Sequence, residues 1–298
     1  MAGPSRSLTS GGIFYSLARF SLPVLLTLFL QALYGGVDLL VVGQFASTAD
    51  VSGVSTGSML LSTFTMLVTG LSMGPTVTVG EAIGSGSPKE AGRAVLAGLT
   101  LLGSSFLVIQ ALVNSMGTTA SAGVGVGEKV CTFIMLVPSA YTQSMSAFVA
   151  QNRGAGRMDR AQRALRCGIL SSLVVGAFMG ALTFWHGDWL AALFARDPAV
   201  VAAARQYLQA YAIDCLLTPL LFCFTGYFNG CEKTLFVMAQ GIIGAFCVRI
   251  PVAWAMSRLP ETSLFLIGLG TPASSLVQDL LCVGYFLLLM RKGWREAG

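Results

Sequence analysis

Residues 18–43 read ARFSLPVLLTLFLQALYGGVDLLVVG. A helix needs about 20 mainly apolar residues to cross the hydrocarbon of a bilayer, and this run supplies them. Its only charges are Arg19, near the start, and Asp38, in the second half. No small-residue cleavage site follows, so the run reads as a true first membrane helix rather than a cleaved signal. Pro23 permits a bend by removing one helical hydrogen bond.

The rest of the chain has the same character. The 298 residues are 54% hydrophobic and 10% charged, with a mean hydropathy of +0.74. Soluble domains carry about 25% charged residues, so the polar surface here is too small to cover a soluble particle. Lipid must be the solvent for most of it. Eight candidate spans follow, at 18–43, 53–80, 94–115, 120–149, 166–186, 203–228, 234–257 and 272–291. They are rich in Gly, Ala, Ser and Thr, which let helices approach closely in lipid. Segment 188–202 reads as an amphipathic connector with Trp189 at the interface and Asp197-Pro198 as a turn; 260–271 reads as a loop or re-entrant turn. The predicted fold class is an all-α polytopic membrane protein of about eight helices.

Positive charge sets the orientation. Arg6, Arg19, Lys89, Arg93, Arg153, Arg157, Arg160, Arg163, Arg166, Lys233, Arg291, Lys292 and Arg295 fall in one set of connections, and the alternate set has Arg196 and Arg258. Both termini are expected in the cytoplasm, with the plasma (inner) membrane as location. The same placement explains the net charge of +5 without nucleic acid. The seven cysteines form no C-x-x-C pair and lie mostly in apolar runs, so they read as small apolar side chains. His186 alone makes no metal site, and no catalytic set appears.

The chain repeats itself. Gly84, Gly86, Ala91, Arg93 and Ala94 recur as Gly154, Gly156, Ala161, Arg163 and Ala164. Parallel repeats of this kind occur in transporters whose two bundles rock around a shared site. The copies are unequal, which predicts an incomplete N-terminal bundle over 1–103 and a complete six-helix bundle over 104–298. The glycine loops lack the G-x-x-x-x-G-K-[ST] pattern of a nucleotide site, so any transport would draw on an ion gradient.

Charges in hydrocarbon cost about 2.5–3.5 kcal/mol each on insertion scales, so each needs a reason. The candidates are Asp38, Glu128, Lys129, Asp214, Arg249 and Asp279. Gln31, Tyr34 and Asp38 share one helical face. A buried carboxylate there could hold a proton, Na⁺ or a cationic substrate; the plainer alternative is a carboxylate satisfied by neighbouring hydroxyls. Glu128 and Lys129 are either structural or part of a cavity, each with its own partner. Asp214 sits mid-span before Thr218-Pro219, and Arg249 with Asp279 suggests a structural ion pair. These charges are expected to line an outward-opening cavity. Phe64, Met66, Met135, Tyr141, Met145, Phe148, Phe224, Tyr227 and Phe228 either line a pocket for flat cations or, more simply, pack the core.

Three stretches carry a family resemblance: SLPVLLTLFLQALYGGVDLLVVGQF (21–45), ASAGVGVGEKVCTFIMLVPSAYTQSMSAFVAQNRGAGR (120–157) and GYFNGCEKTLFVMAQGIIGAFCVRIPV (226–252). They resemble the multidrug and toxic compound extrusion (MATE) family. The resemblance implies a twelve-helix ancestry in two bundles and exchange of H⁺ or Na⁺ for organic cations and drugs; no cofactor is expected, and the absent phosphate-loop pattern argues against a nucleotide. It also implies that Asp38 stands where the family carries its acidic first-helix coupling residue. Two alternatives stay open: a flippase for lipid-linked sugars, and a non-transporting relic or subunit whose missing helices come from another chain as an oligomer.

Overall fold

The computed structural model describes residues 11–54, 56–57, 111 and 113–291; the side chains at 34, 35 and 38 also lie outside the described residues. Most of the expected spans 53–80 and 94–115 therefore falls outside them, together with Phe64, Met66 and the first glycine loop. The described residues are helical and contain no strand. Helix α1 is Ile13–Phe45. Then follow α2 (Thr118–Ile134), α3 (Leu136–Gly154), α4 (Met158–Ala192) and α5 (Pro198–Gly230). The last stretch comprises α6 (Thr234–Ile242), a π-helical segment Ile243–Arg249, α7 (Ile250–Ser257), α8 (Leu264–Gly268) and α9 (Gly270–Arg291). Among the described residues, five helical stretches are long and apolar enough to cross a membrane, and the bent pair α2–α3 makes a sixth if it is one span.

Several expectations change in detail. The span expected at 120–149 is broken at Met135, where α2 and α3 meet at 42°. Pro138 near the start of α3 explains the break, because it cannot supply the N–H that would continue the ladder. The 188–202 connector shrinks to a short link, since α4 runs to Ala192 and Asp197 caps α5 with Pro198 at its first position. The 260–271 loop contains α8, started by Ser263, whose hydroxyl accepts from the Leu266 amide at 3.3 Å.

Helix α5 is the axis of the bundle and is buried along most of its length, with α2, α3, α4 and α9 packed around it. Glycines set the spacing. A side chain at Gly226 would meet the Thr142 carbonyl oxygen of α3 at 2.5 Å, and one at Gly176 would strike the Cys215 carbonyl and the Pro219 ring of α5. Such contacts bring backbones together where lipid gives no hydrophobic drive between helices.

Helix α1 lies against α3 and α4. Leu17 is buried beside Met145 and Gly168. At the other end the Gln44 amide donates to the Ala192 and Leu193 carbonyls at 3.1 and 3.2 Å, and Arg196 Nε donates to Gln44 Oε1 at 2.6 Å. The outer face of α1, including Leu22, Leu26, Phe29, Leu30 and Val41, is exposed and apolar, as a lipid-facing surface requires.

The two ends of the bundle carry unequal numbers of arginines. At one end Arg153 Nη1 pairs with Glu232 Oε2 at 2.8 Å, joining the α3 and α5 termini. Gln162 there donates to the Met290 sulfur of α9 at 3.3 Å. The α3–α4 turn is tight because Gly156 adopts φ +69, a conformation glycine takes without steric cost. At the opposite end stand Arg196, Arg258 and the stacked pair His186–Trp189, ring centroids 4.6 Å apart. His186 marks a kink in α4.

Candidate functional site

Tyr207, Tyr211, Asp214 and Thr218 recur at helical spacing and so form one stripe along α5. Asp214 is only 3% exposed. The Thr218 hydroxyl donates to the Asp214 carbonyl at 2.7 Å and to its Oδ2 at 3.0 Å. Pro219 follows at once and lacks an N–H, so the Cys215 carbonyl has no helical donor. Asp214 Oδ1 has no hydrogen-bond partner among the described residues.

Helix α9 presents Ser275 and Asp279, one turn apart, toward this stripe. The Ser275 hydroxyl leans toward the Asp214 carboxylate without closing a bond to Oδ1. Asp279 is 4% exposed, and neither of its carboxylate oxygens has a hydrogen-bond partner among the described residues. The two aspartates lie within each other's field. Buried polar groups are nearly always hydrogen-bonded, so three open carboxylate oxygens in one place form an exceptional site. Its chemistry is that of hard oxygen donors with excess negative charge, suited to a proton or a small cation.

A second polar group adjoins it. Glu128 of α2 faces Tyr207 and Arg249, and Arg249 also reaches the field of Asp214. The expected Arg249–Asp279 ion pair does not form: Asp279 has no bonded partner among the described residues, and Arg249 turns toward Glu128 and Tyr207. The π-helical segment Ile243–Arg249 is the cause. A π turn carries i→i+5 bonds and displaces every later side chain from the face that a 3.6-residue period assigns.

The expected outward-opening cavity is not what the structure has at Asp214 and Asp279, which are closed from solvent. Close helix packing at Gly176, against Cys215 and Pro219, and at Gly244, against Gln278, accounts for the closure. Of the first-helix candidates, Gln31 sits on the exposed face of α1, while the side chains of Tyr34 and Asp38 lie outside the described residues. Lys129 is half-buried beside Glu128. The aromatic set is core: Met145, Phe148, Phe224, Tyr227 and Phe228 are buried in one cluster, with Phe224 and Phe228 stacked at 5.8 Å. Sequence reasoning missed Tyr207 and Ser275; the helical stripe through Asp214 would have found Tyr207, whereas Ser275 depends on how α9 docks.

Outside the membrane, the Asp197 carboxyl accepts from the Thr48 hydroxyl at 2.5 Å and the Ala199 amide at 2.9 Å. These bonds, the hydroxyl first, hold it below its ordinary value of 3.8. A depressed carboxyl contributes stability above its unfolded value, and the contribution disappears as pH falls through the lower folded value. Thr48→Val is expected to move the Asp197 titration up toward 3.8, as read from carboxyl chemical shifts; an unmoved titration would show that the hydroxyl does not set it.

Five or six apolar helices packed around buried carboxylates define a multi-pass α-helical membrane protein. The MatE family model matches residues 23–109 and 98–255. The chain belongs to that family. It is 23% identical over 194 residues to the probable multidrug resistance protein YoeA of Bacillus subtilis, covering 65% of this chain and 42% of that one. It is 25% identical over 182 residues to the FAD transporter of Shewanella oneidensis, covering 60% and 39%. It thus spans about two fifths of the length of these curated relatives. A MATE crystal structure in complex with MaL6 superposes with TM-score 0.65 at 13% identity, over 97% of this chain and 98% of that chain. An inward-facing MATE transporter superposes with TM-score 0.56 at 14% identity, over 68% of this chain and 47% of that one. Both likenesses are likenesses of fold.

Proposed function

We propose that the chain is an ion-coupled antiporter that exports organic cations across the plasma membrane in exchange for H⁺ or Na⁺, with its arginine-rich end in the cytoplasm. The observation that carries this reading is the Asp214–Asp279 pair, with its three open oxygens buried in the bundle. Two carboxylates so placed repel each other unless a cation or proton sits between them. A site that must be neutralised by something mobile is what exchange needs, since loading by an ion and by a cationic substrate then exclude each other. Ionisable residues within membrane spans are rare and costly, and they point by default to a functional site. Glu128 and Lys129 would belong to the same polar interior, and Asp38, with Tyr34, would supply a coupling carboxylate from the first helix, whereas Gln31, on the exposed face of α1, would stand apart from it.

The test is ethidium efflux from cells expressing the chain, beside Asp38→Asn and an empty vector. Export above the vector level is expected, reduced by the substitution. Export equal to the vector would remove the antiporter reading. Unchanged export by Asp38→Asn would remove that residue's role while leaving the aspartate pair to be judged separately.

A further inference from the structure

At the arginine-rich end a cleft of about 340 Å³ opens between the start of α1 and the turn joining α3 to α4. Ile13, Gly156, Arg157, Asp159, Arg160 and Arg163 line it. Three arginines against one aspartate make its wall positive. Arg160 is fixed in place, its guanidinium lying 5.5 Å from the centre of the Phe148 ring. The exposed turns of α4 place Arg157 and Arg163 at the mouth.

The depth of this cleft is set by α4. Arg166 and Trp185 stand about 28 Å apart along the helix at 1.5 Å per residue, close to the roughly 30 Å of a hydrocarbon core. Trp185 and Trp189, each 67% exposed, mark one interface, where tryptophan is enriched. The cleft then lies in the headgroup layer of the other leaflet. Directly beneath Arg163 on the same face of α4 run Leu170, Val174 and Phe178, all more than 60% exposed. A positive pocket thus stands at the head of an apolar track, the shape of a single lipid molecule. A soluble phosphate would use the pocket and leave the track without a role.

We propose that this cleft binds the phosphate headgroup of an anionic phospholipid of the arginine-side leaflet, with an acyl chain along Leu170, Val174 and Phe178. Guanidinium groups match phosphate geometry, and basic pockets between membrane helices suit such headgroups. The site is distinct from the aspartate pair, and its occupancy is read without any transport assay.

The experiment uses the purified full chain in neutral detergent, titrated with phosphatidylglycerol, phosphatidylcholine or inorganic phosphate, with bound lipid counted by native mass spectrometry and the thermal midpoint followed in parallel. Phosphatidylglycerol should bind and raise the midpoint. Arg157→Gln with Arg163→Gln should weaken its apparent affinity by about fivefold per arginine, the size of one basic contact at an anionic surface. Arg205→Gln, an exposed arginine toward the opposite end of the bundle, should leave it unchanged. Equal binding of phosphatidylcholine, full competition by inorganic phosphate, or unchanged affinity in the double variant would each overturn the proposal.

Discussion

Asp279→Leu should raise the thermal midpoint of the protein while bringing drug efflux down to the empty-vector level. The two effects have one origin. Asp279 is 4% exposed with neither carboxylate oxygen bonded among the described residues, and an unsatisfied buried polar group costs about 1–3 kcal/mol. Leucine has the same number of side-chain heavy atoms and the same branch point without that cost, and replacing buried charge by apolar groups is often stabilising. A residue that weakens the fold and is nonetheless present signals a functional demand. The measurement is paired: thermal unfolding in detergent, and ethidium efflux at matched expression. A lower midpoint would mean that Asp279 has a stabilising partner; unchanged efflux would mean that it takes no part in exchange.

Gly176→Val is expected to have the larger effect on stability, in the opposite direction. A Cβ at Gly176 would strike the Cys215 carbonyl oxygen and come within 2.6 Å of the Pro219 ring. The carbonyl is backbone of the central helix and the proline ring is closed onto that backbone, so neither can rotate away, and α4 would have to withdraw from α5. Overpacking typically costs about 1–3 kcal/mol and occasionally more, and a clash with fixed backbone and a proline ring belongs at the upper end. The variant should lose its main peak in size-exclusion chromatography or melt many degrees lower. Gly241→Ala and Gly284→Ala serve as controls, since a Cβ there meets open space, and alanine is the better helix former. If Gly176→Val behaved like those controls, the close α4–α5 contact would be wrong.

The membrane class was legible from composition and run length, because no alternative solvent could cover 54% hydrophobic residues with 10% charge. The sequence also placed Asp197-Pro198 as a turn, since it rests on local backbone preferences. What failed rests on geometry without a local signature. The break at Met135 depends on how Pro138 is accommodated. The π-helical segment before Ile250 redirects Arg249, and a 3.6-residue period cannot anticipate it. Asp214 was identified from its mid-span charge alone. Its partner is Asp279 rather than Arg249 because α9 docks with Ser275 and Asp279 toward α5, a tertiary fact.

The central claim is that Asp214 and Asp279 hold the exchanged ion. Its most direct test is uptake of a cationic dye into proteoliposomes under an imposed H⁺ or Na⁺ gradient, comparing the native chain with the Asp214→Asn, Asp279→Asn double variant. Gradient-driven uptake by the native chain, absent from a double variant that remains folded, is the predicted result. A folded double variant that still concentrates the dye at the native rate would contradict it.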